Sequence, residues 1–119
     1  MKNFRDLKVY QKAKRIAHQL YELSKCFPSY ENRELGSQLR RASSSIVLNI
    51  GESKQFYVGK EITRLNDAYG SASEVRTILD LLLMRNYITQ EKFNNFESEI
   101  VEVQKMLYVM INRLKAEAK

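Results

Sequence analysis

Two residues in this 119-residue chain are of the types that most readily shuttle protons or attack as thiolates near neutral pH, and each occurs once: His18 and Cys26. Neither sits in a constellation. His18 falls on the side of its helix away from the apolar stripe and reads as a solvated surface residue. Cys26 lies at a helix end and reads as a small filler. No set of ligands has the spacing of a zinc site. No Glu-x-x-His pair exists, which removes the usual di-iron bundle arrangement. Gly51 and Gly59 stand too far apart to form a phosphate-cradling loop. The expectation is a non-enzyme with no metal and no cofactor.

Two polar lines carry more information. Gln38, Arg41, Ser45, Asn49 and Glu52 recur at spacings of three and four, so they share one edge of a helix. The line could contact a ligand or nucleic acid, form part of a subunit interface, or be an ordinary border between core and water. Arg41 and Glu52 are too far apart to pair along one helix, so a buried position would require partners from another helix or chain. A second line holds Asp67, Gly70, Ser71 and Glu74. Small residues permit close backbone approach, and a mid-helix glycine costs about 1 kcal/mol relative to alanine, which close packing would offset. An intersubunit contact is expected at Gly70, Ser71 and Glu74, against a plain surface glycine.

A basic line, Lys8, Lys12 and Arg15, follows the same helical spacing, and Arg40 and Arg41 add two charges. Such residues can touch phosphates without reading sequence, although basic helix faces are commonly only solvated. Tyr10 and Tyr21 flank the core stripe and read as packing residues before base-stacking platforms. The net charge is +6, and residues 1–41 hold all of that excess, with ten basic against four acidic residues. The remainder balances. This asymmetry points to an anionic partner, with solubility alone as the competing reading.

The elements that must position these residues are helices. One proline and four glycines leave long uninterrupted stretches. A first helix is expected over about Asp6 to Cys26, with Val9, Ala13, Ile16, Leu20, Leu23 and Phe27 on one face. Phe27-Pro28 ends it. Ser29 is the expected N-cap of a second helix, with Glu31 in its first turn. Leu35, Leu39, Ala42, Ile46, Ile50 and Ser53 line its core face, and a turn is expected over Ser53 to Gly59.

A third helix is expected over about Lys60 to Met84. Leu65, Ala68, Tyr69, Ala72, Leu79 and Leu83 point one way, and Val75, Ile78 and Leu82 widen the arc. So broad an arc predicts cover on more than one side, from another subunit for instance. Thr89 is the expected N-cap of the fourth helix, with Ile88 and Phe93 as a hydrophobic staple. Phe96, Ile100, Val103, Leu107, Ile111 and Leu114 continue its stripe, and Arg113, Lys115 and Lys119 suit a helix C-terminus. Residues 1–119 thus read as one all-α domain, an antiparallel up-down-up-down four-helix bundle. No apolar run is long enough to span a bilayer, the first ten residues lack the core of a signal peptide, and a single cysteine forms no internal disulfide. A cytoplasmic protein with no membrane contact is expected.

The joint pattern of Phe4-Arg5-Asp6-Leu7-Lys8-Val9-Tyr10-Gln11-Lys12-Ala13, Phe27-Pro28 with Glu31, and Gln38-Leu39-Arg40-Arg41-Ala42 carries a resemblance. Ser45-Ile46, Asn49-Ile50, Lys60-Glu61 and Ala68-Tyr69-Gly70-Ser71-Ala72-Ser73-Glu74 complete it. Over residues 4–115 the chain resembles the bacterial four-helix bundle proteins encoded in intervening sequences of 23S ribosomal RNA genes. These are related to the accessory variability proteins of diversity-generating retroelements. The sequence departs at Gly51-Glu52-Ser53, where the family usually reads Ala-Glu-Gly. The resemblance implies a ring-like homopentamer, binding of structured RNA or DNA, and, from the retroelement relatives, engagement of a polymerase-type protein such as a reverse transcriptase. It also sharpens the polar lines, with Arg41 expected to pair with an acid from another helix and Glu74 as the leading partner.

Three functions compete on this basis. The first is an oligomeric nucleic-acid binder. The second is a protein-interaction adaptor that does not touch nucleic acid. The third is an enzyme using Arg41, Glu52 and Glu74, which would need a deep polar pocket holding all three.

Overall fold

The computed structural model describes residues 3–54 and 57–118. Gln55 and Phe56 of the expected turn, and Lys119 of the basic tail, lie outside them. Four long helices account for nearly all of the described chain. Helix α1 is Lys8–Ser24. Helix α2 begins with a turn at Ser29–Glu31, passes through a π-helical stretch at Asn32–Gly36 and continues as Ser37–Gly51. Helix α3 is Val58–Met84 and α4 is Gln90–Glu117. Each helix packs on the next, and α4 closes back on α1 through a thinner contact. Short connections make sequential neighbours antiparallel, so the chain is an up-down-up-down bundle of 48 × 21 × 20 Å.

The apolar stripes meet along the axis. Ile16, Leu20, Leu39, Ile50, Leu65, Leu79, Leu82, Ile100 and Leu107 are among the largest fully buried side chains. The broad arc of α3 needs no second subunit: Val75, Ile78, Leu79 and Leu82 are all buried within this one chain, between α2 and α4. Tyr69 leaves the expected core face and is exposed, while Leu23 and Leu83 are half-buried.

The helix ends differ from expectation in ways that local chemistry explains. Asn3 accepts from the Arg5 amide at 2.9 Å and caps a short 3-10 turn, Phe4–Asp6, so the first helix starts only at Lys8. At its far end the amides of Lys25, Cys26 and Phe27 bond three residues back, tightening the last turn. Ser29 is not the cap of α2. Pro28 holds that position with extended backbone (φ −56°, ψ 153°), and no side chain caps the helix. Gly59 lies within α3, which begins at Val58, two residues before its expected start at Lys60.

The start of α4 after Thr89 and the end of α3 at Met84 fall where the sequence places them, although the closure at Asn86 was not expected. The Thr89 hydroxyl accepts from the Lys92 amide at 3.1 Å, and Ile88 and Phe93 pack on the core on either side of it. After α3, Asn86 adopts φ 63°. The Tyr87 amide then reaches the Leu82 carbonyl at 2.9 Å and the Asn86 amide reaches Leu83 at 3.1 Å. This pair of bonds closes a helix with a left-handed residue, a position only glycine and asparagine take cheaply. Asn86→Ala is therefore expected to lower stability by about 1 kcal/mol, whereas Asn86→Gly leaves it within about 0.5 kcal/mol. Thermal melts of the two variants check this, and equal melting of both with the parent contradicts it.

Candidate nucleic-acid and subunit contact surfaces

The five cations expected to meet nucleic acid do not form one patch. Lys12 and Arg15 point toward α4, where the Glu99 carboxylate lies 3.9 Å and 3.5 Å away. The same Glu99 oxygen is buried and accepts no hydrogen bond among the described residues, so these two cations are the charges that face it there. Lys8 and Arg41 are exposed with no carboxylate partner among the described residues, and Arg41 bonds only the Ser37 hydroxyl of its own helix at 3.4 Å. The expected Arg41–Glu74 pair does not form within the chain. Arg41 lies along the surface of α2, and Glu74 is exposed on α3.

Arg40 turns inward. It donates through Nη1 to the Ser24 hydroxyl at 2.9 Å and to Asn32 Oδ1, and through Nη2 to the Asn32 carbonyl at 3.3 Å. It ties the π-helical start of α2 to the end of α1. Buried Gly36 completes the clip, because a Cβ there would stand 2.7 Å from Asn32 Oδ1 and 3.1 Å from Arg40 Nη1. Asn32, Gly36 and Arg40 recur every four residues, a spacing visible in the sequence. The groove beside the clip also holds Lys25, Arg33 and the ring of Tyr21. Tyr21 is 48% exposed, so it is no core residue.

The polar line of α2 splits in two. Its lower half is a seam with α3: the Ser71 hydroxyl meets Ser45 Oγ at 2.9 Å, and Arg64 reaches Asn49 at 3.4 Å and Glu52 at 4.0 Å. Asn49 also donates back to the Ser45 carbonyl at 2.9 Å. Its upper half, Gln38 and Arg41, stays on the surface, as do Gly70 and Glu74. Nothing lies within 4 Å of where a Gly70 Cβ would be, so no contact inside the chain requires glycine there. Arg41, Glu52 and Glu74 line none of the four grooves formed by Tyr21 and Arg40, by Gln19 and Phe96, by Leu7 and Met110, and by Arg76 and Glu97. Exposed Cys26 fills no gap, and exposed His18 lies 4.0 Å from Glu22. Among the described residues no three His, Cys, Asp or Glu side chains converge as metal ligands. No helix among them is long and apolar enough to cross a membrane.

The strongest polar contacts involve residues outside both polar lines. Arg76 on α3 grips Glu97 on α4 with two prongs, Nε to Oε1 at 3.1 Å and Nη2 to Oε2 at 2.8 Å, and donates to Gln104 at 3.0 Å. Buried Gln104 in turn donates to the Tyr69 carbonyl at 3.2 Å and the Ser73 hydroxyl at 2.9 Å. The bond to Glu97 raises the Arg76 pKa above its ordinary value, so this guanidinium stays charged at any working pH. At the bundle end, buried Glu31 pairs with Arg85 at 2.8 Å, and the Phe27 and Tyr87 rings stand 5.3 Å apart.

The Tyr87 hydroxyl there meets Tyr30 at 3.3 Å. That hydrogen bond, with partial burial and the neighbouring Glu31 adding to it, pushes the Tyr87 pKa up to about 12. A phenol raised in the folded state stabilises fully below its unfolded value of about 10 and loses that contribution as pH climbs toward 12. Phenolate absorbance should accordingly show one of the seven tyrosines titrating last. Tyr30→Phe should bring that step back toward the ordinary range, and an unchanged last step contradicts the assignment.

A solved protein shares this architecture. The chain is similar to a crystal structure of a protein of unknown function from the S23 ribosomal protein family of Bacteroides thetaiotaomicron, at 27% identity and a TM-score of 0.82. The match covers 87% of this chain and 95% of that one. No functionally curated protein matches. The family model described as 23S rRNA-intervening sequence protein matches residues 5–109, and the chain belongs to that family.

Proposed function

We propose that this chain is a non-enzymatic helical bundle that assembles with copies of itself and binds RNA, or another nucleic acid, through its basic surface. The observation that carries the reading is the charge distribution: all of the net +6 resides in residues 1–41. Membership of a family named for 23S rRNA intervening sequences gives the anion a direction. Assembly multiplies the field. A five-membered ring of the kind the resemblance implies would carry about +30, enough to draw polyanions together with strong salt dependence. Exposed Gly70, Glu74, Gln38 and Arg41 are the residues offered for contacts between copies.

Glu99 supplies the test at single-residue level. Glu99→Gln removes the carboxylate that, among the described residues, faces both Lys12 and Arg15. It should raise affinity for structured RNA about threefold at low salt, with the gain fading as salt screens the charges. Fluorescence anisotropy with a labelled hairpin measures it, and unchanged affinity at low salt would remove α1 from the contact.

A second reading, a platform for a polymerase-type protein, is favoured by one feature. An apolar groove of about 510 Å³ runs between α1 and α4, with Leu7, Met106, Val109, Met110 and Leu114 in its walls. A partner retained after nuclease treatment would favour that reading over RNA bridging.

A further inference from the structure

We propose that the groove between the end of α1 and the π-helical start of α2 is a binding site for a phosphate monoester carried on a nucleoside. Arg40 is the reason. Among the described residues, the guanidiniums of Arg15, Arg64, Arg76 and Arg85 all face carboxylates. Arg40 is half-buried, and its partners are a serine hydroxyl, an amide oxygen and a backbone carbonyl, all neutral. A positive charge drawn partly out of water without a counter-ion is unfavourable, and an anion entering the groove removes that cost. Its three bonds leave Nε and one Nη2 hydrogen free to donate.

The surroundings suit a dianion. Lys25 and Arg33 also line the groove, and no acidic side chain does. Arg33 is exposed and makes no ion pair among the described residues, while Lys25 is shared with Glu22 at 3.3 Å. About two positive charges therefore remain uncompensated, matching a terminal phosphate better than the single charge of an internal diester. Arginine and lysine together are the usual instruments of phosphate binding.

The nucleoside has a place as well. The half-exposed Tyr21 ring lines the same groove, with the Lys25 ammonium 5.0 Å from its centroid. A base can stack on such a ring without regard to its sequence. The groove is open to solvent along one side and has a volume of about 480 Å³, room for a nucleotide lying along it. It lies on the α1–α2 side of the bundle, whereas Lys12 and Arg15 face α4, so the site does not depend on the RNA-binding reading.

The test uses the full chain and calorimetric titration with uridine 5′-monophosphate, uridine and inorganic phosphate. Saturable binding of the nucleotide, with none of uridine at the same concentrations, is the expected result. Lys25→Ala and Arg33→Ala should each weaken it about tenfold, and because both side chains are exposed their melting temperatures should stay at the parent value. Arg40→Lys should weaken it too, but that variant also loosens the clip, so the two exposed variants decide the matter. No nucleotide binding, or binding unchanged in both exposed variants, overturns the site. If long RNA still binds in that case, the basic-surface reading survives without it. Two short RNAs separate the sources of the phosphate. Displacement of the nucleotide only by the 5′-phosphorylated strand, not by its 5′-hydroxyl twin, assigns a strand end. Displacement by neither, with the nucleotide bound, assigns the free nucleotide.

Discussion

Arg76→Ala should cost about 3 kcal/mol of stability and lower the melting temperature by about 12 °C. The loss has two parts. Gln104 is 4% exposed and its Oε1 accepts only from Arg76, so truncation leaves a buried acceptor without a donor, at about 1–3 kcal/mol. The pair with Glu97 is more open to water, with side chains 41% and 28% exposed, and adds about 1 kcal/mol. Two-pronged geometry places it at the upper end of what such a pair contributes. Because Gln104 also bonds the Tyr69 carbonyl and Ser73, loosening it frees the whole polar strip between α3 and α4. A double-mutant cycle of Arg76→Ala with Gln104→Ala should show coupling above about 0.5 kcal/mol. Melting of Arg76→Ala within about 2 °C of the parent would reduce the network to surface decoration.

RNA affinity should fall by about a thousandfold between 50 and 200 mM salt. The slope of the logarithm of affinity against the logarithm of salt is about −0.9 per phosphate neutralised on a duplex, so this drop corresponds to about six contacts. Within one chain the cations are spread over several faces, with Lys12 and Arg15 partly satisfied by Glu99 and Arg40 half-buried. Assembly would add cations from further copies and steepen the slope, which links it to assembly. Filter binding with one hairpin across a salt series reads the slope directly. A slope near zero would place the affinity in non-ionic contacts and contradict the electrostatic mechanism.

The core was legible because helix periodicity is a local property. Val9, Ala13, Ile16 and Leu20, then Leu35 through Ser53, fall where a 3.6-residue period places them, and all are buried. Thr89 was legible for the same reason, since a cap bonds three residues along its own helix. Contacts between helices were not. Arg76 and Glu97 are 21 residues apart, and their meeting depends on how α3 and α4 are rotated about each other. The excess width of the α3 stripe was visible, but whether a neighbouring helix or a neighbouring chain covers it is a matter of packing. Arg40 shows the limit for the candidate sites. Its type and neighbour, Arg41, suggested a basic pair open to phosphates, yet adjacent residues on a helix point about 100° apart, and only one of the two faces water freely.

The central claim, a self-assembling polyanion binder, is tested most directly by light scattering of the purified chain with and without structured RNA, at low and at high salt. The predicted result is a multimer that gains mass with RNA at low salt and loses that gain at high salt. A monomer whose mass ignores RNA at either salt would contradict it.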